Sequence, residues 1–289
     1  MLLKIENLTV QFGKFRALDI HTPICIENGD RIGIIGSNGA GKSTMIKSIL
    51  GLVPYQGKIY STLQPKQIAT HMQFNEYTDN MPVRYIMEAI LQTRIAKNKE
   101  LQELIDYFEF GGCLKKRYSK LSGGQKRKCE IARAILNKPE ILILDEPTTG
   151  LDPQTRTAIW KLIRDMQTQQ GMTVFLTTHY MEEAAAADNV LILEKGRICA
   201  EGTPDTLKSK YGKDTLKLRF PNLEEGMKQL RAIGYTAKQK ADYVSLSIED
   251  SHEALKIVNS LDDFLDFELI KGNMDDVFLT VTGHTEVPK

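Results

Sequence analysis

The stretch Asp30-Arg31-Ile32-Gly33-Ile34-Ile35-Gly36-Ser37-Asn38-Gly39-Ala40-Gly41-Lys42-Ser43 holds the pattern that decides the fold of this 289-residue chain. Its first six residues read as a β-strand, and helix-forming residues from about Lys42 to Leu50 follow the glycines. Strand, glycine-rich turn and helix in that order are the context of a phosphate-cradling loop. Glycine lets the backbone close around oxygen atoms with no side chain in the way. Successive N–H groups and the positive end of the helix then face an anion. On this reading Gly36, Ser37, Asn38, Gly39, Ala40 and Gly41 form the cradle, and Thr44 completes the binding set. Lys42 carries a point charge to the β- and γ-phosphates, and the Ser43 hydroxyl is placed for Mg²⁺.

Downstream, Ile141-Leu142-Ile143-Leu144 is a short, wholly apolar run bounded by Pro139 and Asp145. Such a run suits a strand buried on both faces, as in a parallel sheet. Val174-Phe175-Leu176 and Val190-Leu191-Ile192-Leu193 read the same way, with a helical stretch from Gln154 to Gln169 between. Strands alternating with helices predict an α/β parallel sheet. The first buried run ends in Asp145-Glu146-Pro147, at the strand end where ligands bind in open α/β sheets. Asp145 is therefore expected to hold Mg²⁺, and Glu146 to orient or polarise a water beside the γ-phosphate.

Composition narrows the class. Hydrophobic residues make up 42% and charged residues 26%, with a net charge of +1. These are globular values with no broad basic footprint for nucleic acid. The four cysteines, Cys25, Cys113, Cys129 and Cys199, stand at no metal or redox spacing, which predicts free thiols. The N-terminal residues enter a strand pattern at once, and no stretch approaches the ~20 apolar residues of a membrane span. A chain soluble by itself is expected, with any membrane spans supplied by another polypeptide.

The segment Leu121-Ser122-Gly123-Gly124-Gln125 opens a helix expected over Lys126 to Leu136. It is a second anion-binding helix start, and it resembles the signature of the ABC superfamily of ATPases. The resemblance covers residues 2 to about 210. It implies an ABC cassette with a mostly parallel sheet, an N-terminal antiparallel β subdomain and a helical subdomain over about 76–136. It also implies a head-to-tail dimer sandwiching two ATP molecules, each bound with Mg²⁺. Ser122, Gly123, Gly124, Gln125 and Asp152 would then serve the partner's ATP. Thr178-His179 looks like the switch histidine at the γ-phosphate, a catalytic position beside Glu146 and Lys42. Gln73 looks like the glutamine that binds Mg²⁺ and couples to a transmembrane partner; Gln67 is a weaker competitor. Phe12, followed by Gly13, looks like the aromatic that stacks on adenine.

Composition shifts near Gly212, so the resemblance divides the chain into a 1–212 cassette and a 213–289 accessory domain. The latter reads as β-α-β-β-α-β, a ferredoxin-like α+β order. The tail Met274-Asp275-Asp276-Val277-Phe278-Leu279-Thr280-Val281-Thr282-Gly283 is similar to the ending of drug, antibiotic, peptide and lipid exporter ATPases. Together these imply an ATPase subunit at the cytoplasmic face of the membrane, working under a separate permease with a second ATPase copy, and no nucleic-acid partner. Two other classes stand beside it. A soluble ABC ATPase acting on ribosomes or DNA is disfavoured by the single cassette and the absence of a long heptad insertion. A non-hydrolysing regulatory cassette is disfavoured by the presence of both Glu146 and His179.

Overall fold

The computed structural model describes residues 1–71, 80–91, 99–108, 110–135 and 138–283. It divides into two compact units, Met1–Ile198 and Cys199–Lys289.

In the first unit an antiparallel sheet forms from β1 (Leu3–Phe12), β2 (Phe15–Ile20) and β3 (Ile24–Ile26). Leu3, Ile5, Leu8 and Val10 of β1 are buried. Strand β4 (Arg31–Ile35) leads through the glycine loop into α1 (Lys42–Ile49), after which β5 (Gln56–Ser61) returns to pair with β1. Next come β6 (Ile68–His71), α2 (Val83–Leu91), α3 (Lys99–Tyr107), α4 (Gly123–Ile135), β7 (Ile141–Asp145), α5 (Pro153–Gln170), β8 (Thr173–Thr178), α6 (Met181–Ala185) and β9 (Asn189–Glu194). Strands β9-β4-β8-β7-β6 lie side by side in that order, all parallel.

The uniformly apolar runs are buried on both faces because side chains alternate across a strand. Leu142 and Leu144 of β7 and Val174 and Leu176 of β8 enter one core with Val83, Met87, Phe110, Cys129 and Ile131. Ile141, Ile143 and Phe175 enter a second core with Ile5, Leu8, Ile34, Met45 and Ile46. Burying a side chain of this size stabilises by about 1.5–3 kcal/mol. One strand therefore joins the helical layer to the antiparallel layer.

The second unit begins within β10 (Arg197–Gly202), continues through α7 (Pro204–Tyr211), and then shows β11 (Asp214–Arg219), α8 (Leu223–Ala232), β12 (Lys238–Gln239), β13 (Val244–Ile248), α9 (Ser251–Asn259), β14 (Asp266–Ile270) and α10 (Met274–Thr282). Its antiparallel sheet has the order β12-β13-β11-β14, and Leu216, Leu218, Leu230, Val244, Leu246 and Ile257 form its core. From β11 to β14 its elements run in the order β-α-β-β-α-β, followed by α10. The division falls before the Gly212 marked by composition, because α7 packs with α10 in the second unit. Among the described residues no helix is long and apolar enough to cross a membrane.

Candidate active site

The glycine loop is pressed between two strands. A Cβ on Gly36 would stand 2.3 Å from the Leu193 carbonyl oxygen of β9. One on Gly41, at φ 110°, would meet Leu18 Cδ2 at 2.7 Å and the Ala17 carbonyl at 2.9 Å. Only glycine fits at either point. Ser37 Oγ donates to Glu194 Oε2 at 2.7 Å, pinning the loop to the end of β9. Gly39, at φ 81°, has open space around it, for a Cβ there would touch nothing within 4 Å.

Helix α1 starts at Lys42 with Gly41 as its cap, no capping side chain and no acidic residue in its first turn. Its leading N–H groups thus have neither an intrahelical partner nor a side-chain acceptor. That suits an anion. Lys42 is buried, and its Nζ donates to the carbonyls of Gly36 at 2.8 Å and Ser37 at 3.1 Å. Burial pushes its pKa below the ordinary lysine value, opposed by Glu146, Asp145 and Glu194. The ammonium is held over the loop, where phosphate oxygens would take the place of those carbonyls.

The end of β7 faces this lysine. Glu146 Oε1 lies 3.8 Å from Lys42 Nζ, and Glu146 Oε2 lies 3.5 Å from His179 Nδ1. Glu146 has φ 49°, the left-handed region, at a typical cost of about 1–3 kcal/mol for a non-glycine residue. Thr177 holds that backbone turn. Its carbonyl and its hydroxyl each accept from the Glu146 N–H at 3.1 Å, while the hydroxyl donates to Asp145 Oδ1 at 2.6 Å. Thr149 Oγ1 donates to Glu146 Oε2 at 3.1 Å. His179 remains partly open to solvent at the end of β8. Lys42, Asp145, Glu146 and His179, distant in sequence, therefore meet at the C-terminal ends of β4, β7 and β8. The hard oxygens of Ser43 and Asp145 are a donor set that could hold Mg²⁺, which takes few protein ligands beside substrate phosphates.

The other expected residues form a different group. Helix α4 begins at Gly123 rather than Lys126, so Gly123, Gly124 and Gln125 lie in its first turn. Ser122 and Gln125 cap it reciprocally: Gln125 N–H donates to Ser122 Oγ at 3.3 Å, and Ser122 N–H donates to Gln125 Oε1 at 3.2 Å. A Cβ on Gly124 would stand 2.8 Å from Thr155 Cγ2. The Thr155 N–H in turn donates to Asp152 Oδ1 at 2.9 Å, capping α5. Gly124 and Asp152 thus share one corner, at the starts of α4 and α5. Phe12 is 47% exposed at the tip of the β1–β2 hairpin, opposite Phe15, which is 65% exposed. Gln67 is engaged locally, accepting from Gln64 N–H at 2.7 Å and donating to Glu140. Gln73 lies outside the described residues.

Sequence reading passed over Thr177, Thr148, Glu183 and Glu194. The pair Thr177-Thr178 directly before His179 was the one visible signal, since hydroxyls at the end of an apolar strand need partners.

A family model described as "ABC transporter" matches residues 21–149. The daunorubicin/doxorubicin resistance ATP-binding protein DrrA of Streptomyces peucetius is 33% identical, covering 92% of this chain and 87% of its own length. The Nod factor export ATP-binding protein I of Burkholderia lata is 31% identical, covering 89% of this chain and 90% of its own. Among solved structures, an ATP-binding cassette captured as a dimer after hydrolysis with ADP and Pi superposes with a TM-score of 0.61. It is 25% identical and covers 70% of this chain and 98% of that one. The chain belongs to the family of ATP-binding subunits of ABC transporters. It is the ATP-binding and ATP-hydrolysing member of such an assembly.

Proposed function

We propose that the loop Gly36 to Thr44 binds the phosphates of ATP and that Glu146 and His179 run its hydrolysis. The approach of Lys42, Glu146 and His179 within 3.8 and 3.5 Å carries this reading. Lys42 leaves the loop carbonyls for the β- and γ-phosphates. Glu146, fixed by Thr177 and Thr149, orients the attacking water in line with the γ-phosphate. His179, 3.5 Å from Glu146 Oε2, hydrogen-bonds the transferring group. Ser43 and Asp145 would hold Mg²⁺, with Gln73, which lies outside the described residues, as the further expected ligand, and the ion would spread the phosphate charge when bound. Positioning matters more than strong base chemistry here, because the transition state is loose.

The corner at Ser122–Gln125 and Asp152 lies on α4 and α5 and serves the ATP of a second copy in a head-to-tail dimer. The partner cassette in the post-hydrolysis dimer supports this arrangement. Phe12 stacks on the adenine. The chain works at the cytoplasmic face of the membrane under a separate permease, and the second unit is an accessory domain. Relatives named for drug resistance and for Nod factor export support outward transport.

Glu146→Gln tests the core of the proposal. ATP should still bind, while turnover falls about 10²–10⁴-fold. Full turnover in that variant removes Glu146 from the chemistry.

A further inference from the structure

Glu183 is 4% exposed, and three donors converge on its carboxylate. Thr178 Oγ1 donates to Oε2 at 2.5 Å, Trp160 Nε1 donates to Oε1 at 2.8 Å, and the Thr148 hydroxyl also donates to Oε1. Thr148 is fully buried and lies two residues beyond Glu146. Thr178 immediately precedes His179, and its hydroxyl also accepts from the Tyr180 N–H at 2.9 Å. The backbone on both sides of His179 is thus tied to one hydroxyl, and that hydroxyl to Glu183. Trp160 anchors the same carboxylate to α5.

We infer that Glu183 is a positioning residue for ATP hydrolysis, setting the separation of Glu146 and His179 without touching nucleotide. The inference rests on the function proposed above. A carboxylate is suited to the task because it accepts only, with two oxygens that bind several donors at once. A charged acceptor also holds each donor more firmly than a neutral one. The segments carrying Glu146 and His179 come from different strands, β7 and β8. Their register pairing ends at Asp145 opposite Thr177; beyond it one main-chain bond, Glu146 N–H to the Thr177 carbonyl, and the side-chain bonds around Glu183 tie the two segments. No hydrogen bond of Glu183 reaches the glycine loop, so ATP affinity does not depend on it.

The test measures steady-state ATP turnover of the full chain for Glu183→Ala and Thr178→Val, with Glu146→Gln and His179→Ala in parallel. Displacing catalytic groups by about 1 Å costs up to about 100-fold. Both new variants should therefore lose about 10- to 100-fold in kcat, with KM for ATP within about threefold of wild type. Thr178→Ser should recover most of the loss. Adding Glu183→Ala to His179→Ala should cost little more, because both act through one group. The sole tryptophan adds a spectroscopic signature: Trp160 emission should shift in Glu183→Ala and stay unchanged in His179→Ala. If Glu183→Ala does not fold, Thr178→Val and its serine rescue decide. Wild-type kcat in the new variants, a matching rise in KM, or losses that multiply with His179→Ala overturn the inference. If Glu146→Gln and His179→Ala also keep full turnover, the proposed function fails and this inference with it.

Discussion

The hydroxyl of Thr177 donates to Asp145 Oδ1 at 2.6 Å and accepts from the N–H of Glu146 at 3.1 Å. One fully buried side chain of β8 thus fixes both acidic residues that end β7. Two consequences meet at this point: a buried carboxylate is solvated by protein, and the left-handed turn at Glu146 is held against its own strain.

Thr177→Val keeps the shape of the side chain and removes the hydroxyl. A buried charged group that loses a donor typically costs about 1–3 kcal/mol. The variant should unfold at lower urea concentration by that amount, with ATP turnover reduced as Glu146 loses its backbone tie. A denaturation curve and a turnover assay on the same preparation check both effects.

Lys42→Met should weaken ATP binding about 10- to 100-fold, the loss of charge-assisted bonds worth about 1.5–3 kcal/mol. It should also alter stability against pH. The folded pKa of Lys42 lies below the ordinary 10.5, chiefly through burial, so the unfolded chain holds this proton more tightly. Stability of the nucleotide-free protein therefore rises with pH between the lowered folded value and 10.5. Wild-type protein should show this alkaline gain relative to Lys42→Met; parallel pH profiles would refute it.

The cysteines should label in two classes. Cys25 and Cys199 are at the surface, while Cys113 and Cys129 are buried. Burial pushes the Cys129 thiol up to about 12, which denies it the reactive thiolate near neutrality. Alkylation of the folded protein, read by mass, should be fast at Cys25 and Cys199 and slow at Cys129. Denaturant should open all four.

Gly226→Ala should destabilise the second unit. A Cβ there would stand 2.3 Å from the Phe220 ring, where α8 packs on the end of β11. Overpacking of this kind costs about 1–3 kcal/mol. The midpoint of unfolding should drop while ATP affinity, which belongs to the first unit, stays at the wild-type value.

Much of this molecule can be read along the chain. The loop from Gly36 to Ser43, the runs ending at Asp145 and Thr178, and the β-α-β-β-α-β tail depend on local spacing: glycines where the backbone must turn, apolar residues where a strand is covered on both faces. Asp145 and Glu146 followed from their place at a strand end. Helix limits were less legible, because α4 starts at Gly123 only once Ser122 and Gln125 cap each other. The packing of α7 with α10 inside the second unit is not legible either, because nothing local in Pro204–Tyr211 shows it.

The sequence by itself determined the elements and the chemical types in the site, since hydrogen-bond geometry and side-chain alternation act over a few residues. Only the tertiary structure decided that Glu146 stands between Lys42 and His179, and that Glu183 gathers Thr148, Trp160 and Thr178 around one carboxylate. Those contacts join residues from separate strands and helices. They form when a parallel sheet sets β4, β8 and β7 side by side and burial leaves each polar group to find its partner inside the protein.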